Sequence, residues 1–314
     1  MNADAAAGYS GVDLLDRRDG LVYVPPEGIP LAVEAALATG RPLLLRGDPG
    51  SGKSTLAAYV ARSRGWRYYE HVVTSRTQAR ELLWTFDSVQ RLGDAQVRAQ
   101  GSELNDADYV KPGVLWWAFA PESARRQATD PNDEVNRERS PDHAAVLIDE
   151  IDKADPDIPN GLLVPLGSRK FVVTETGQEV TKAAAPLDDD GGSRHLIIIT
   201  TNEERELPQA FLRRCVVAWL EQPLGEQLTE IAKAHLDTYD GGYTTEDIEL
   251  IGALVDAFAK SRVHAQEVDI RRPSTAEFLD ALRACRKLGI TVGSDDWKLL
   301  SELTLSKPPR QSVG

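Results

Sequence analysis

One stretch constrains the fold of this chain more than any other: residues 43–60, which read LLLRGDPGSGKSTLAAYV. Three leucines indicate a buried strand, residues 54–60 indicate a helix, and the segment between them fits G-x-x-x-x-G-K-[ST] at every fixed position. Such a turn directs backbone N–H groups toward an anion, and the helix amino terminus adds partial positive charge. The stretch therefore predicts a phosphate-binding loop within an α/β fold.

This loop supplies most of the candidate nucleotide-binding residues. Lys53 is expected to reach the β- and γ-phosphates, and Ser54 is expected to be a ligand of Mg²⁺. The residues expected to bind the nucleotide are Gly47, Asp48, Pro49, Gly50, Ser51, Gly52, Lys53, Ser54 and Thr55.

The composition excludes several classes of protein. With 314 residues, 41% hydrophobic and 27% charged, the chain resembles ordinary soluble globular proteins. No apolar run approaches the roughly 18 residues of a transmembrane helix, and the amino terminus lacks the pattern of a signal peptide, so we expect a cytoplasmic protein without a membrane partner. The two cysteines indicate neither a disulfide framework nor a metal site. The net charge of −13 disfavours non-specific contact with nucleic acid.

Four further apolar runs are interpreted as strands of one parallel sheet, because parallel strands buried on both faces are almost continuously apolar. They lie at 66–73, 144–148, 196–200 and 216–220. Helical patterns between them place the chain in the α/β class. Beyond a hinge at Pro223 and Gly225, the apolar spacing indicates helices alone.

These patterns divide the chain into a flexible arm at 1–20, an α/β core at 21–221, a helical lid domain at 222–306 and a tail at 307–314. Residues 121–142 contain almost no large apolar side chains and predict a solvated loop or a disordered insertion. Residues 188–192, DDDGG, predict an exposed tip.

Two polar strand ends extend the predicted site. The strand VLIDE ends in Asp149, which is expected to hold Mg²⁺ through water. Glu150 follows it and is expected to polarise the attacking water as general base. The strand LIIITTN brings Asn202 to the same edge of the sheet, where its amide could hold the water and a γ-phosphate oxygen. A paired Asp and Glu indicate hydrolysis of ATP by water.

The order of these motifs resembles that of AAA+ ATPases: the loop GDPGSGKS, the strand VLIDEID, the strand ending in ITTN, the segment LPQAFLRRC and the final helices. Within that family the chain resembles the MoxR and dynein-related branch. Residues 74–117 would form the helix-2 insertion, and residues 171–180 would form the hairpin before sensor 1. The resemblance implies the αβα sandwich of P-loop NTPases with a parallel sheet, followed by a small all-helical lid.

The resemblance also implies roles for individual residues. Asn202 resembles sensor 1. Arg214 resembles the arginine finger that completes the site of a neighbouring subunit, with Arg213 as the alternative. Sensor 2 is assigned to Arg272, or to Arg271 beside it, although Ala276 occupies a position where relatives often have the arginine. The tryptophans of the insertion are expected in a local core rather than in a ring pore.

The implied function is Mg²⁺-dependent ATP hydrolysis in a homo-oligomeric ring, expected to be hexameric, that remodels a partner protein as a chaperone does. The partner would be a separate chain, such as one with a von Willebrand factor A domain. The alternative is the motor subunit of a nucleic-acid-acting or antiviral defence complex; the acidic charge does not favour it, but a pore needs few basic residues. A slowly hydrolysing scaffold and a small-molecule kinase are weaker alternatives.

Overall fold

The computed structural model of the chain describes residues 20–97, 104–182 and 195–305. The expected arm up to residue 19, the tip at 188–192 and the tail at 307–314 lie outside the described residues. Within those ranges the strands are β1 Leu43–Arg46, β2 Trp66–Val72, β3 Trp84–Phe86, β4 Val110–Pro112, β5 Ser140–Asp149, β6 Lys170–Val172, β7 Glu179–Thr181, β8 His195–Thr201 and β9 Val216–Trp219.

The helices of the same ranges are α1 Ile29–Thr39, α2 Lys53–Ser63, α3 Ser88–Val97, α4 Val114–Phe119, α5 Pro121–Gln127, α6 Asp133–Asn136, α7 Asp157–Ser168, α8 Gln209–Leu212, α9 Gly225–Tyr239, α10 Thr245–Glu267, α11 Thr275–Leu288 and α12 Asp295–Leu305. Short 3-10 helices lie at Ala79–Leu82, Asp106–Tyr109 and Ile151–Lys153.

The central sheet has the strand order β2-β5-β8-β1-β9, and each neighbouring pair runs parallel. Every strand predicted from an apolar run is present in it, so the predicted sandwich with a parallel sheet is confirmed. Because the strands are parallel, their carboxyl ends meet at one edge. Gly47, Glu150 and Asn202 directly follow β1, β5 and β8, which are neighbours in the sheet.

Alternate residues of the central strands enter two different apolar cores. In β1, Leu44 packs in the core that contains Val146 and Ile199. Leu43 and Leu45 pack in the core that contains Val33 of α1 and Leu56 of α2. Both faces of the sheet are therefore buried in apolar cores, which explains why these strands are apolar at nearly every position.

The insertion between β2 and β5 contains the antiparallel pair β3–β4 and packs on the hairpin β6–β7. The ring of Phe171 in β6 stacks on Trp84 at 5.6 Å and meets Trp116 edge-on at 5.8 Å. Trp84 also donates its indole N–H to Glu175, at 2.8 Å. Trp84, Trp116 and Trp117 are buried, so the expectation of a local aromatic core is confirmed.

The expectation for residues 121–142 is wrong. This segment contains α5 and α6 and the first residues of β5, and it adds buried polar groups to the core. Asn136 accepts a hydrogen bond from the backbone N–H of Tyr68 at 2.8 Å, and the Tyr69 hydroxyl donates to Asp130 at 3.0 Å. Hydrogen bonds to the edge strand β2, rather than apolar contacts, order this segment. The apolar content of the sequence does not reveal such hydrogen bonds.

Among the residues of this segment, Asp130 is expected to cause the largest loss of stability when it is substituted. Its buried carboxylate forms an ion pair with Arg67 at 3.2 Å and accepts from Tyr69 and Asn136. Asp130→Ala leaves a nearly buried guanidinium without its partner and should lower the free energy of unfolding by about 3 kcal/mol. Urea denaturation measures this loss. Asp133→Ala is the matched control, since Asp133 pairs with Arg137 on the surface, and it should cost under about 0.5 kcal/mol. Equal losses would contradict the assignment.

The carboxyl-terminal helices have an apolar core of their own. Ile251, Leu254 and Phe258 of α10 are buried there with Phe278 and Leu282 of α11, as the helical spacing predicts. Capping boxes begin both helices: Thr244 pairs with Asp247, and Ser274 pairs with Glu277. Each box satisfies backbone N–H groups at a helix start, and the second fixes the point where α11 approaches the phosphate-binding loop.

Candidate nucleotide site

The loop between β1 and α2 has a backbone that glycine alone supports at two contact points. Gly47 has φ 143°, and a Cβ there would lie 2.1 Å from the carbonyl oxygen of Leu220. Gly50 has φ 77°, and a Cβ there would lie 2.3 Å from the Cβ of Ser274. The loop therefore passes between the residue that follows β9 and the start of α11, and α2 begins directly after it at Lys53. Its backbone N–H groups and the helix amino terminus form an anion site.

Lys53 is folded into this loop. Its side chain is only 6% exposed, and its ammonium donates to the carbonyl oxygens of Gly47 at 2.7 Å and Asp48 at 2.8 Å. Burial lowers the pKa of Lys53, while the nearby Asp149 and Asp152 oppose the shift. The ammonium is thus held at the mouth of the loop by two carbonyl oxygens, and phosphate oxygens are stronger partners than carbonyls.

Asp149 links the loop to two strands. Ser54 donates its hydroxyl to Asp149 Oδ1 at 2.7 Å, and Thr200 of β8 donates to the same oxygen at 2.6 Å. The carboxylate is buried. Hydroxyl and carboxylate oxygens are the hard donors that Mg²⁺ prefers, so Ser54 and Asp149 fit the magnesium site expected from the sequence. Thr200 is a site residue that the sequence analysis does not identify; the available signal is a polar residue that follows the apolar run of β8.

Glu150 follows β5 in the left-handed region, at φ 59°. Its backbone N–H donates to the Thr200 hydroxyl at 2.9 Å. Asn202 donates its amide to Glu150 Oε1 at 3.3 Å, and Lys153 donates to Oε2 at 2.6 Å. The hydrogen bond to Glu150 raises the pKa of Lys153. The Glu150 carboxylate therefore lies between Asn202 and Lys153 at the carboxyl end of β5.

The position of Asn202 depends on Asp152, which the sequence reasoning also missed. One carboxylate oxygen of Asp152 accepts the backbone N–H groups of Asn202 at 3.1 Å and Glu204 at 2.9 Å. Asp152 is 2% exposed. A buried carboxylate that accepts two backbone hydrogen bonds fixes the loop after β8. The structure therefore brings together Lys53, Ser54, Asp149, Glu150 and Asn202, as the motifs predict.

A cavity of about 280 Å³ opens from this cluster toward the lid. Beyond the loop and the strand ends, its wall includes Val22 and Tyr23 from the segment before α1, Ile231 and His235 from α9, and Leu279 and Arg283 from α11. The Tyr23 hydroxyl is buried, and burial raises its pKa. Phosphate donors at one end and apolar side chains at the other match the two halves of a nucleotide.

The lid arginines lie differently from the sequence expectation. Within the described residues, the cavity wall does not include Arg271 or Arg272. Arg271 forms an ion pair with Glu277 at 3.5 Å, and Arg272 is exposed. Arg283, two turns into α11, lines the cavity and lies 3.5 Å from Asp280. In this conformation Arg283, rather than Arg271 or Arg272, lines the cavity, and the residues around the start of α11 do not reveal it.

Arg213 and Arg214 belong to the opposite edge of the sheet. They are exposed and stand just before β9 begins, whereas Asp149 and Asn202 lie at strand carboxyl ends. Arg214 lines a second cavity, of about 240 Å³, with residues of the α1–β1 turn and of α7. Neither arginine is therefore part of the nucleotide cavity of its own chain.

Comparisons with known proteins give one family profile and several similar solved structures. A family profile described as AAA domain (dynein-related subfamily) matches residues 42–215. Two similar solved structures are variants of Thermotoga maritima RuvB: one is 13% identical with a TM-score of 0.44, the other 15% identical with a TM-score of 0.45, and each alignment covers 88% of this chain and 66% of the other. This chain thus spans just under two thirds of their length.

A third solved structure is a Cytophaga hutchinsonii protein whose ATPase activity is itself inferred; it is 14% identical with a TM-score of 0.43, covering 92% of this chain and 83% of that chain. A comparison with curated proteins found no match. Among the helices of residues 20–97, 104–182 and 195–305, none combines the length and apolar character that crossing a membrane requires. The family profile covers more than half of the sequence, and the chain therefore belongs to the AAA domain family, dynein-related subfamily.

Proposed function

We propose that this protein is a MoxR-like AAA+ ATPase that hydrolyses ATP with Mg²⁺ in an oligomeric ring and uses the energy to remodel a partner protein. The observation that supports the chemistry best is the cluster around Asp149. Ser54 and Thr200 share one oxygen of that carboxylate, while Glu150 and Asn202 meet beside it at the mouth of the loop. Membership in the AAA family supports ATPase activity in general.

The chain's own residues divide the reaction between them. The loop N–H groups and Lys53 bind the phosphates, and Ser54 and Asp149 would hold Mg²⁺. When bound, Mg²⁺ polarises phosphate oxygens as a Lewis acid. Glu150 accepts a proton from the attacking water, because each carboxylate oxygen has two acceptor sites and keeps one beside its present donor. Asn202 orients that water through its bond to Glu150.

An exposed helix supports the proposal that the partner is a protein. Helix α3 of the insertion has no buried residue along its described length, and Val89, Leu92 and Val97 are all strongly exposed. These exposed apolar side chains, on a helix that packs none of its described residues into the core, offer a surface for contact with protein. The net charge of −13 does not favour nucleic acid as the partner. Measuring ATP turnover with and without DNA distinguishes the two: stimulation by DNA would favour the nucleic-acid motor.

Lys53→Ala tests the proposed ATP site. Removing the ammonium deletes a charge-assisted contact to phosphate, which is worth about 1.5–3 kcal/mol, so ATP affinity should fall at least tenfold. Calorimetric titration measures the affinity, and phosphate release with Mg²⁺ or EDTA measures turnover. Lys170→Ala is the control, since that exposed lysine pairs with Glu179 on the hairpin. A Lys53→Ala protein that binds and hydrolyses ATP like its parent would refute the proposal.

A further inference from the structure

The lid forms an ion pair with the phosphate-binding loop itself. Arg262 of α10 lies with one guanidinium nitrogen 3.6 Å from the carboxylate of Asp48. Another guanidinium nitrogen donates to the backbone carbonyl of Pro273 at 2.9 Å. The Arg262 side chain is only 13% exposed, although it carries a full charge. A guanidinium that is mostly buried needs its partners, so this position is specific rather than a chance surface contact.

The residues beside this pair bring loop and lid into direct contact. Gly50 packs so closely on Ser274 that a side chain at position 50 would clash. Gln222, in the hinge, donates to the Gly50 carbonyl at 3.3 Å and also to the Thr275 hydroxyl. Loop residues 48–50 and lid residues 273–275 therefore form one contact, and Arg262 binds both of its sides.

Because Asp48 is negatively charged, its ion pair with Arg262 affects how the loop can bind phosphate. Asp48 occupies a variable position of the loop motif and places a carboxylate in a segment that should bind several phosphate charges. Like charges in the same site repel each other, and the energy depends on the charges that compensate them nearby. The guanidinium of Arg262 is the compensating charge that the structure places against this carboxylate.

We propose that Arg262 is a positioning residue for nucleotide binding: it neutralises Asp48 from the lid and seats loop residues 48–50 for the phosphates. The inference rests on the proposed function, because it assumes that the loop binds a nucleoside triphosphate. It adds that the affinity for phosphate depends on lid contact at a residue outside the loop motif. Seating the lid and binding the phosphates are then coupled by one ion pair.

The test removes the charge of Arg262, of Asp48, or of both in the full chain. Titration with a non-hydrolysable ATP analogue and with ADP measures the affinity of each variant. Arg262→Gln removes the ion-pair partner of Asp48 and should weaken binding of the triphosphate about tenfold, since one unit charge close to the site has an effect of that order. The affinity for ADP should fall by a smaller factor, because ADP carries less negative charge. Adding Asp48→Asn to Arg262→Gln should restore affinity. The difference between Arg262→Gln and the parent should shrink in high salt.

The controls separate charge from packing and from folding. Lys260→Gln removes a positive charge from the same helix at an exposed position and should bind like the parent. Arg262→Lys keeps the charge and should retain most of the affinity. Asp48→Asn alone changes a side chain that is 54% exposed and leaves Arg262 its hydrogen bond to the Pro273 carbonyl, so this variant should stay folded. It should bind the triphosphate at least as tightly as the parent.

Three results would overturn the inference: parental affinity in Arg262→Gln, no rescue by Asp48→Asn in that background, or weakened binding in Asp48→Asn alone. A purely structural role for Arg262 predicts the second of these, because removing the Asp48 charge does not replace lost packing. A parent protein that binds neither nucleotide would count against the proposed function, so the two failures are distinguishable.

Discussion

A Glu150→Gln protein is expected to bind ATP as its parent does and to hydrolyse it about 10²–10⁴-fold more slowly, the range for loss of a general base. Glutamine has the size of glutamate, and its amide oxygen can still accept from Asn202 or Lys153, which hold Glu150 now. The substitution therefore keeps the site assembled. An amide does not accept the proton of the attacking water, so binding and turnover should separate.

The measurement is ATP affinity by titration beside phosphate release at saturating ATP. Glu204→Gln is the matched control, because Glu204 lies on the adjacent loop, is exposed and is fixed to Asp152 through its backbone N–H. It removes a similar charge near the site and should leave turnover close to parental. Hydrolysis at the parental rate in Glu150→Gln would exclude Glu150 as the base, and attention would move to another acceptor at this edge.

The parts of the fold that could be predicted are those that a local pattern specifies. A strand buried on both faces must be apolar at nearly every position, as Leu43, Leu44 and Leu45 are, so the sheet was visible in the sequence. The phosphate-binding loop was visible because its glycines meet backbone constraints that other residues do not. Helices α10 and α11 were visible through their apolar spacing.

The parts that could not be predicted depend on contacts between distant residues. Asp152 fixes Asn202 from 50 positions away, and Asp130 reaches Tyr69 across 61 positions. A polar side chain that is buried by such contacts has the same appearance in a sequence as one on the surface. The lid arginines show the same limit, because which of them lines the cavity depends on how α11 docks, not on its first residues.

Helix α11 also shows why a family pattern transfers incompletely. Arg272 precedes Pro273, and the backbone then turns so that Ser274 caps the helix against Gly50. The side chain before the turn stays in solvent, while the helix places Arg283 along the cavity. Where relatives often have an arginine, Ala276 lines the cavity wall.

Arg214→Ala is expected to keep ATP binding and to lose hydrolysis by about 10³-fold or more, the effect of an arginine finger. Arg214 lies at the amino ends of the strands, away from its own chain's nucleotide cavity, so direct contact of this arginine with a nucleotide requires a second subunit. Turnover per subunit in the parent should accordingly rise with protein concentration as subunits associate. Arg213→Ala is the matched control on the neighbouring exposed arginine. A larger loss in Arg213→Ala would identify that residue as the finger.

Mixing two inactive proteins gives the sharper form of this prediction. In a head-to-tail ring, each interface joins the Glu150 of one subunit to the Arg214 of the next. Arg214→Ala and Glu150→Gln subunits each lack one half of every interface when alone. Random mixing in equal amounts leaves roughly a quarter of interfaces with both halves intact in such a ring, and turnover should return in that proportion. Co-assembled mixtures that recover no turnover would show that Arg214 acts elsewhere or that hydrolysis needs many intact sites at once. Repeating the mixture with Arg213→Ala, which should already be active alone, distinguishes an incorrectly assigned arginine from an incorrect mechanism.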